Sequence, residues 1–128
     1  MSEQDKRLRQ HPEERFDPPQ LQINLQDVAA RLRNEPTAEY GKHRQETLYR
    51  YGPLTIALFV FEQGASMAQH KAEGVVTVQV LQGRLRMSAD GERHDLPTGS
   101  LLVLAPGVSH DVLAMEPTRM LLTVCLEG

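Results

Sequence analysis

Hydrophobic positions along this chain change period once. Leu25, Val28, Ala29 and Leu32 recur at i, i+3, i+4 and i+7, the spacing of one helical face. Asn24 stands ahead of them as an N-cap, and Asp27, three residues on, gives an approximate capping box. Ile23 and Val28 are placed to staple the first turn, and Pro36 sets the stop. This short amphipathic helix needs a surface to pack on, either the underside of a β domain or a second subunit.

From Glu46 onward the period is that of β structure. Residues 47–51 read as a strand closed by Gly52-Pro53. Residues 54–61 are nearly all apolar, the mark of a strand buried on both faces, and Gly64 breaks the run. Residues 75–81 are β-branched and apolar, and Gln82-Gly83 turns the chain. Residues 84–88 alternate polar and apolar, Asp90-Gly91 signals a type I′ hairpin, and residues 92–96 return to Pro97-Thr98-Gly99. Residues 101–105 form another buried run ended by Pro106-Gly107, and residues 110–114 and 120–126 complete the set. About eight or nine short strands, with turn signals every eight to twelve residues, predict an antiparallel sandwich or barrel. No ten-residue helical pattern separates the strands, so an α/β fold is excluded.

The pattern divides the chain into a polar arm (residues 1–20), a helix with its connecting loop (residues 21–45) and a β domain (residues 46–128). The arm is charged and proline-bearing, and cannot bury enough apolar surface to order itself. At 128 residues there is room for one core. The net charge of −3 argues against a nucleic-acid partner, which would need a basic face. The longest apolar runs are too short to span a bilayer, and the first residues contain no apolar stretch of a leader, so a cytoplasmic protein is the expectation. Cys125 is alone, which excludes an intrachain disulfide; in its apolar run it reads as a small buried hydrophobe.

The candidate chemistry lies between Gly64 and His110. His70 and His110 each stand at the edge of a β-patterned segment, at the mouth of the expected barrel. The frame around them resembles the cupin family. The family's first motif is Gly, five residues, His, one residue, His, three or four residues, Glu, six residues, Gly. Gly64, His70 and Gly83 fall on it. The second is Gly, five residues, Pro, one residue, Gly, two residues, His, three residues, Asn, and Gly99, Gly107 and His110 fall on that. The resemblance covers roughly residues 54–126. It implies a cupin-like antiparallel β-barrel (a double-stranded β-helix, or jelly roll) preceded here by a short N-terminal helix. It also implies a divalent metal held by three histidines and a glutamate, and a homodimer. The departures are specific. Ala72, Val76 and Ala114 replace the second histidine, the glutamate and the asparagine, and the proline is offset to Pro106.

Two readings of the histidines follow. In one, His70 and His110 hold one divalent ion (Zn, Fe, Mn, Ni or Cu) with a third ligand from Glu73, His43, His94 or the amide of Gln69, as in an oxygenase or isomerase of the cupin type. In the other, they are the polar anchor of a pocket for a small, mostly apolar molecule, walled by Val76, Val78, Val112 and Ala114 through strand parity. Those four residues also read as plain core. His94 has charged neighbours and reads as a surface residue. His43 sits in a polar loop and reads as solvated unless that loop folds over the mouth. Tyr40, Tyr49 and Tyr51 are expected at a border, either of the pocket or of a subunit interface. An apolar edge strand is a liability that pairing removes, so a homodimer is expected on physical grounds too.

Overall fold

The computed structural model describes residues 16–36 and 43–126. Most of the polar arm (residues 1–15) and Tyr40 lie outside the described residues.

The helix forms where its pattern predicts. α1 runs Leu25–Asn34, and the Asn24 side chain accepts a hydrogen bond from the Asp27 N–H at 2.9 Å. That cap contributes about 1 kcal/mol. Asp27 in the first turn and Arg31 and Arg33 in the last complement the helix dipole. Ala29 and Leu32 are buried against Leu48, Leu58 and Val60, so the helix packs on a sheet of its own chain.

Nine strands follow: β1 (His43–Tyr51), β2 (Leu54–Phe61), β3 (Ser66–His70), β4 (Gly74–Gln82), β5 (Arg84–Ala89), β6 (Glu92–Pro97), β7 (Leu101–Leu104), β8 (His110–Ala114) and β9 (Thr118–Leu126). They form a five-stranded sheet, β1-β2-β9-β4-β7, and a four-stranded sheet, β3-β8-β5-β6. Every pairing is antiparallel. This is a jelly roll of two facing sheets, and not a closed barrel. Strand parity fills the space between them. Val76, Val78 and Val80 of β4 face Leu85 and Met87 of β5, with Phe59, Phe61, Val112 and Met120 around them. β2 is buried on both faces because Ala57, Phe59 and Phe61 enter this core while Leu58 and Val60 lie under α1.

Several expectations are corrected. Ser66–His70 is a strand that the pattern does not single out; it is short, mostly exposed and bulged, so it carries little periodicity. β1 begins at His43, not at residue 47, because its polar start pairs with Phe61 and Val60 through the backbone. His43 is consequently half-buried, its ring 5.5 Å from those of Phe59 and Phe61. β7 is an edge strand. Leu101 (62 % exposed) and Val103 (56 %) point outward, and only Leu104 of that strand is buried. Cys125 also faces out and is exposed. The end of the arm is tied down, with the Asp17 N–H donating to Arg50 O at 2.8 Å and the Tyr49 hydroxyl donating to Pro18 O at 2.6 Å. Phe16 meets Tyr51 edge-on at 4.8 Å. Both described tyrosines therefore border a segment of their own chain.

Four of the six connections between the sheets turn at one end of the fold, tied together by hydrogen bonds from Gly64 N to Ala114 O (2.9 Å) and Met115 N to Arg84 O (3.0 Å). Gly83 shows what that crowding requires. Its φ is +102°, and a Cβ there would lie 2.4 Å from Pro117 O and 2.5 Å from Thr118 Oγ1. Asp90 (φ 48°) and Gly91 (φ 83°) form the expected left-handed hairpin pair at the other end, with open space around Gly91. Gly83→Ala is expected to cost about 3 kcal/mol, since it combines backbone strain with a clash. Gly91→Ala is expected to cost about 1 kcal/mol, from strain alone. Equilibrium urea unfolding measures both, and equal losses would contradict the steric account.

Candidate functional site

A β-bulge makes the site. Met67 of β3 pairs with Val112 of β8, both facing the space between the sheets. Regular pairing would then set residue 69 opposite His110. The register instead shifts between Met67 and His70, so that His70 pairs with His110. One extra residue moves His70 onto the same face as His110. The two rings lie 4.3 Å apart between centroids, at 61°.

Both imidazoles are held the same way. His70 Nδ1 is 3.0 Å from Ala68 O, and His110 Nδ1 is 3.1 Å from Val108 O. A carbonyl only accepts, so each Nδ1 carries the proton of the neutral ring. Each Nε2 then presents a lone pair. His110 is buried in the wall at 4 % exposure, while His70 stands exposed at the rim. The loops around them are braced. Gly107 N donates to Ala72 O at 2.9 Å, joining the β7–β8 and β3–β4 loops. Asp90 N donates to Ser109 O at 2.8 Å, and Ser109 N donates to Asp90 Oδ1 at 3.0 Å, fixing the residue before His110 to the β5–β6 hairpin.

The apolar space between the sheets is not covered throughout. Leu122 and Val124 of β9 pair with Val78 and Val76 of β4 and face the core, yet they are only half-buried. Met67, Ala72, Leu102 and Val108 are likewise packed on the core and partly open. Next to His70, the facing β3–β4 and β7–β8 loops form a shallow depression of about 560 Å³ lined by Lys71, Ala72, Glu73, Pro106 and Gly107. The pocket walls expected from strand parity lie deeper. Val76, Val78, Val112 and Ala114 are 3 %, 1 %, 4 % and 1 % exposed, within the core cluster. The accessible apolar residues are therefore a different set. Sequence reasoning missed them because parity gives the face a residue takes, and not whether a neighbour covers it.

Among the described residues no three His, Cys, Asp or Glu side chains come together as a potential ion site. His43 lies on β1 beside Phe59 and Phe61, at the end of the fold opposite the pair. His94 lies on β6, with Nε2 3.9 Å from Glu92 Oε1. Glu73 is in the exposed β3–β4 loop, and Gln69 lines a groove on the outer side of the four-stranded sheet with Arg86 and Asp111. Two imidazoles fall short of the three or more protein ligands that resident metal sites use. The described residues therefore do not fit the four-ligand centre implied by the resemblance. Ala72 and Val76, at two of its positions, have no lone pair to offer.

Known proteins resemble this chain at the level of fold. A conserved protein of unknown function from Streptococcus pyogenes superposes with a TM-score of 0.70 at 22 % identity, covering 88 % of this chain and 92 % of its own. KdgF from a Halomonas species gives 0.64 at 21 % identity, covering 73 % and 87 %. Salicylate 1,2-dioxygenase from Pseudoaminobacter salicylatoxidans gives 0.65 at 15 % identity, covering 79 % of this chain but only 32 % of the larger enzyme. No curated protein has significant sequence similarity to the chain. The model of the cupin domain family matches residues 57–125, which span β2 to β9 and include both histidines. By that match, and by the two-sheet jelly roll that carries it, the chain belongs to the cupin family.

Proposed function

We propose that this cupin binds a small, mostly apolar molecule between its sheets, with His70 and His110 as the polar anchor. The observation that carries the reading is the pair of Nε2 lone pairs on the inner side of a jelly roll whose inward Leu122, Val124 and Leu102 are only half-buried. Neutral rings in this tautomer accept hydrogen bonds, so the preferred ligand offers a hydroxyl or N–H donor on an apolar body. A phenol or a branched alcohol has that chemistry. Protonating either ring adds a donor at Nε2 and favours a carboxylate instead. The two rings differ in access, so His70 meets the ligand from the rim and His110 from the wall.

The second reading is a metal-dependent enzyme of the oxygenase or isomerase type, with the ion on His70, His110 and a further donor. The same Nε2 lone pairs favour it, because a ring fixed through Nδ1 is how proteins orient a ligating histidine. The donor count opposes it.

One set of samples tests both. Titration with small phenols and alcohols, followed by amide and methyl shifts, is expected to move Leu122, Val124 and Val112. In the His70→Ala, His110→Ala variant affinity is expected to fall by about tenfold or more, the effect of losing one or two hydrogen bonds. Unchanged affinity would remove the histidines from the reading. Elemental analysis of tag-free, chelator-free protein decides the other branch. About one equivalent of a transition metal, lost in the double variant, would establish the metal reading in its place.

We also propose a homodimer through the uncovered half of the five-stranded sheet. α1 covers β1 and β2, but the outer face of β4, β7 and β9 presents Val75, Leu101, Val103, Thr123 and Cys125, with Arg119 at one end of β9 as its charged side chain. A two-fold contact centred on Leu101, Val103 and Thr123 buries apolar surface while leaving Arg119 at its margin, and it also covers the β7 edge. Light scattering at micromolar concentration is expected to give twice the chain mass, and Leu101→Lys with Val103→Lys to give the monomer. A monomeric parent would overturn this arrangement.

A further inference from the structure

The outer face of the five-stranded sheet carries a second, unrelated feature under the end of α1. Sheet register sets Arg44 of β1 beside Val60 of β2, Val60 beside Arg119 of β9, and Arg119 beside Gln82 of β4. Two arginines thus lie two strands apart, about 9 to 10 Å between Cα atoms, on either side of one valine. Val60 is buried and forms an apolar floor. Arg33, in the last turn of α1, closes the space from above. The half-open cavity measures about 410 Å³.

Its charges do not balance. Three guanidinium groups line it against one carboxylate, Glu62. Arg44 is already committed. Its Nη1 is 3.5 Å from Glu62 Oε2, its Nε donates to the Glu35 carbonyl, and its side chain is 15 % exposed. It is therefore held rigidly in the wall. Arg33 and Arg119 have no ion pair among the described residues. The carbonyl end of α1 offsets part of the Arg33 charge, and the Glu35 carbonyl beyond it accepts from Arg44 Nε. The cavity consequently keeps a net positive charge over an apolar floor. Guanidinium groups suit planar or tetrahedral oxyanions because their paired N–H donors match two oxygens at once.

We infer that this cavity binds a small dianionic oxyanion, a phosphate or dicarboxylate group of a metabolite, between Arg33 and Arg119, with Arg44 as the fixed wall. It lies at the end of the fold opposite the histidine pair and outside the inter-sheet space, so it stands whether or not the pair binds a ligand.

The test uses the full chain and two probes, sodium phosphate and disodium succinate, titrated at constant ionic strength set with sodium chloride. Saturable amide shifts are expected at Val60, Gln82 and Arg119. Arg33→Gln with Arg119→Gln is expected to weaken binding by about tenfold or more, because it removes two charge-assisted donors. The variant's undisturbed α1 and β-sheet resonances would exclude unfolding as the cause. Arg93→Gln, on exposed β6, is expected to leave affinity unchanged. Saturation by phosphate alone or by succinate alone would support the site and assign its anion class. The inference is overturned if neither anion saturates, if the double variant binds as tightly as the parent, or if Arg93→Gln weakens binding equally, which would indicate diffuse screening.

Discussion

The register of β9 between β2 and β4 governs where every other side chain points. β9 pairs with both neighbours along nearly its whole length, so Ala57, Leu122 and Val78 fall in one row and Phe59, Met120 and Val80 in the next. A slip of one residue would turn Met120 and Leu122 outward and bring Arg119 and Leu121 between the sheets. Burying an unpaired guanidinium there is prohibitive, so the charge on Arg119 helps to fix the register. The same row structure then decides both candidate sites. Inward positions of β4 and β9 line the space between the sheets, and outward positions of β1, β2 and β9 build the arginine cavity.

The histidine pair depends on a more local device. β3 is an exposed edge strand, and only its bulge brings His70 onto the inner face. His110, by contrast, is buried, and Ser109 before it exchanges two hydrogen bonds with Asp90 of the neighbouring hairpin. The pair thus joins a buried member to an exposed one at the rim. With Ala72 and Val76 at the remaining family positions, the site offers two acceptors in apolar surroundings in place of a cage of ligands.

Much of the fold was legible because local and global signals agree. Asn24 caps the helix it precedes, Asp90-Gly91 adopts the left-handed pair that its composition demands, and the unbroken apolar run of β2 is buried on both faces. The spacing of six residues around His70 and His110 located the family. What stayed hidden has physical causes. An apolar run such as residues 101–104 looks alike at the centre and at the edge of a sheet, since only neighbours decide exposure. β3 has too few inward residues to show a period. The incomplete burial of Leu122 and Val124 depends on side chains from other strands. The Arg44–Val60–Arg119 row joins residues remote in sequence, and only the register reveals it.

The bulge in β3 has a consequence for descent. The inward orientation of His70 is set by chain length between Met67 and itself, as a matter of phase. Loss of one residue there would turn the imidazole to solvent while leaving every other side chain of the site intact. Regaining that residue would restore it. In lineages sharing this jelly roll, a paired-histidine site can therefore switch off and on by a single insertion or deletion, with no histidine substituted. Alignments that score residue identity alone would count such chains as equivalent, although their interiors present different chemistry.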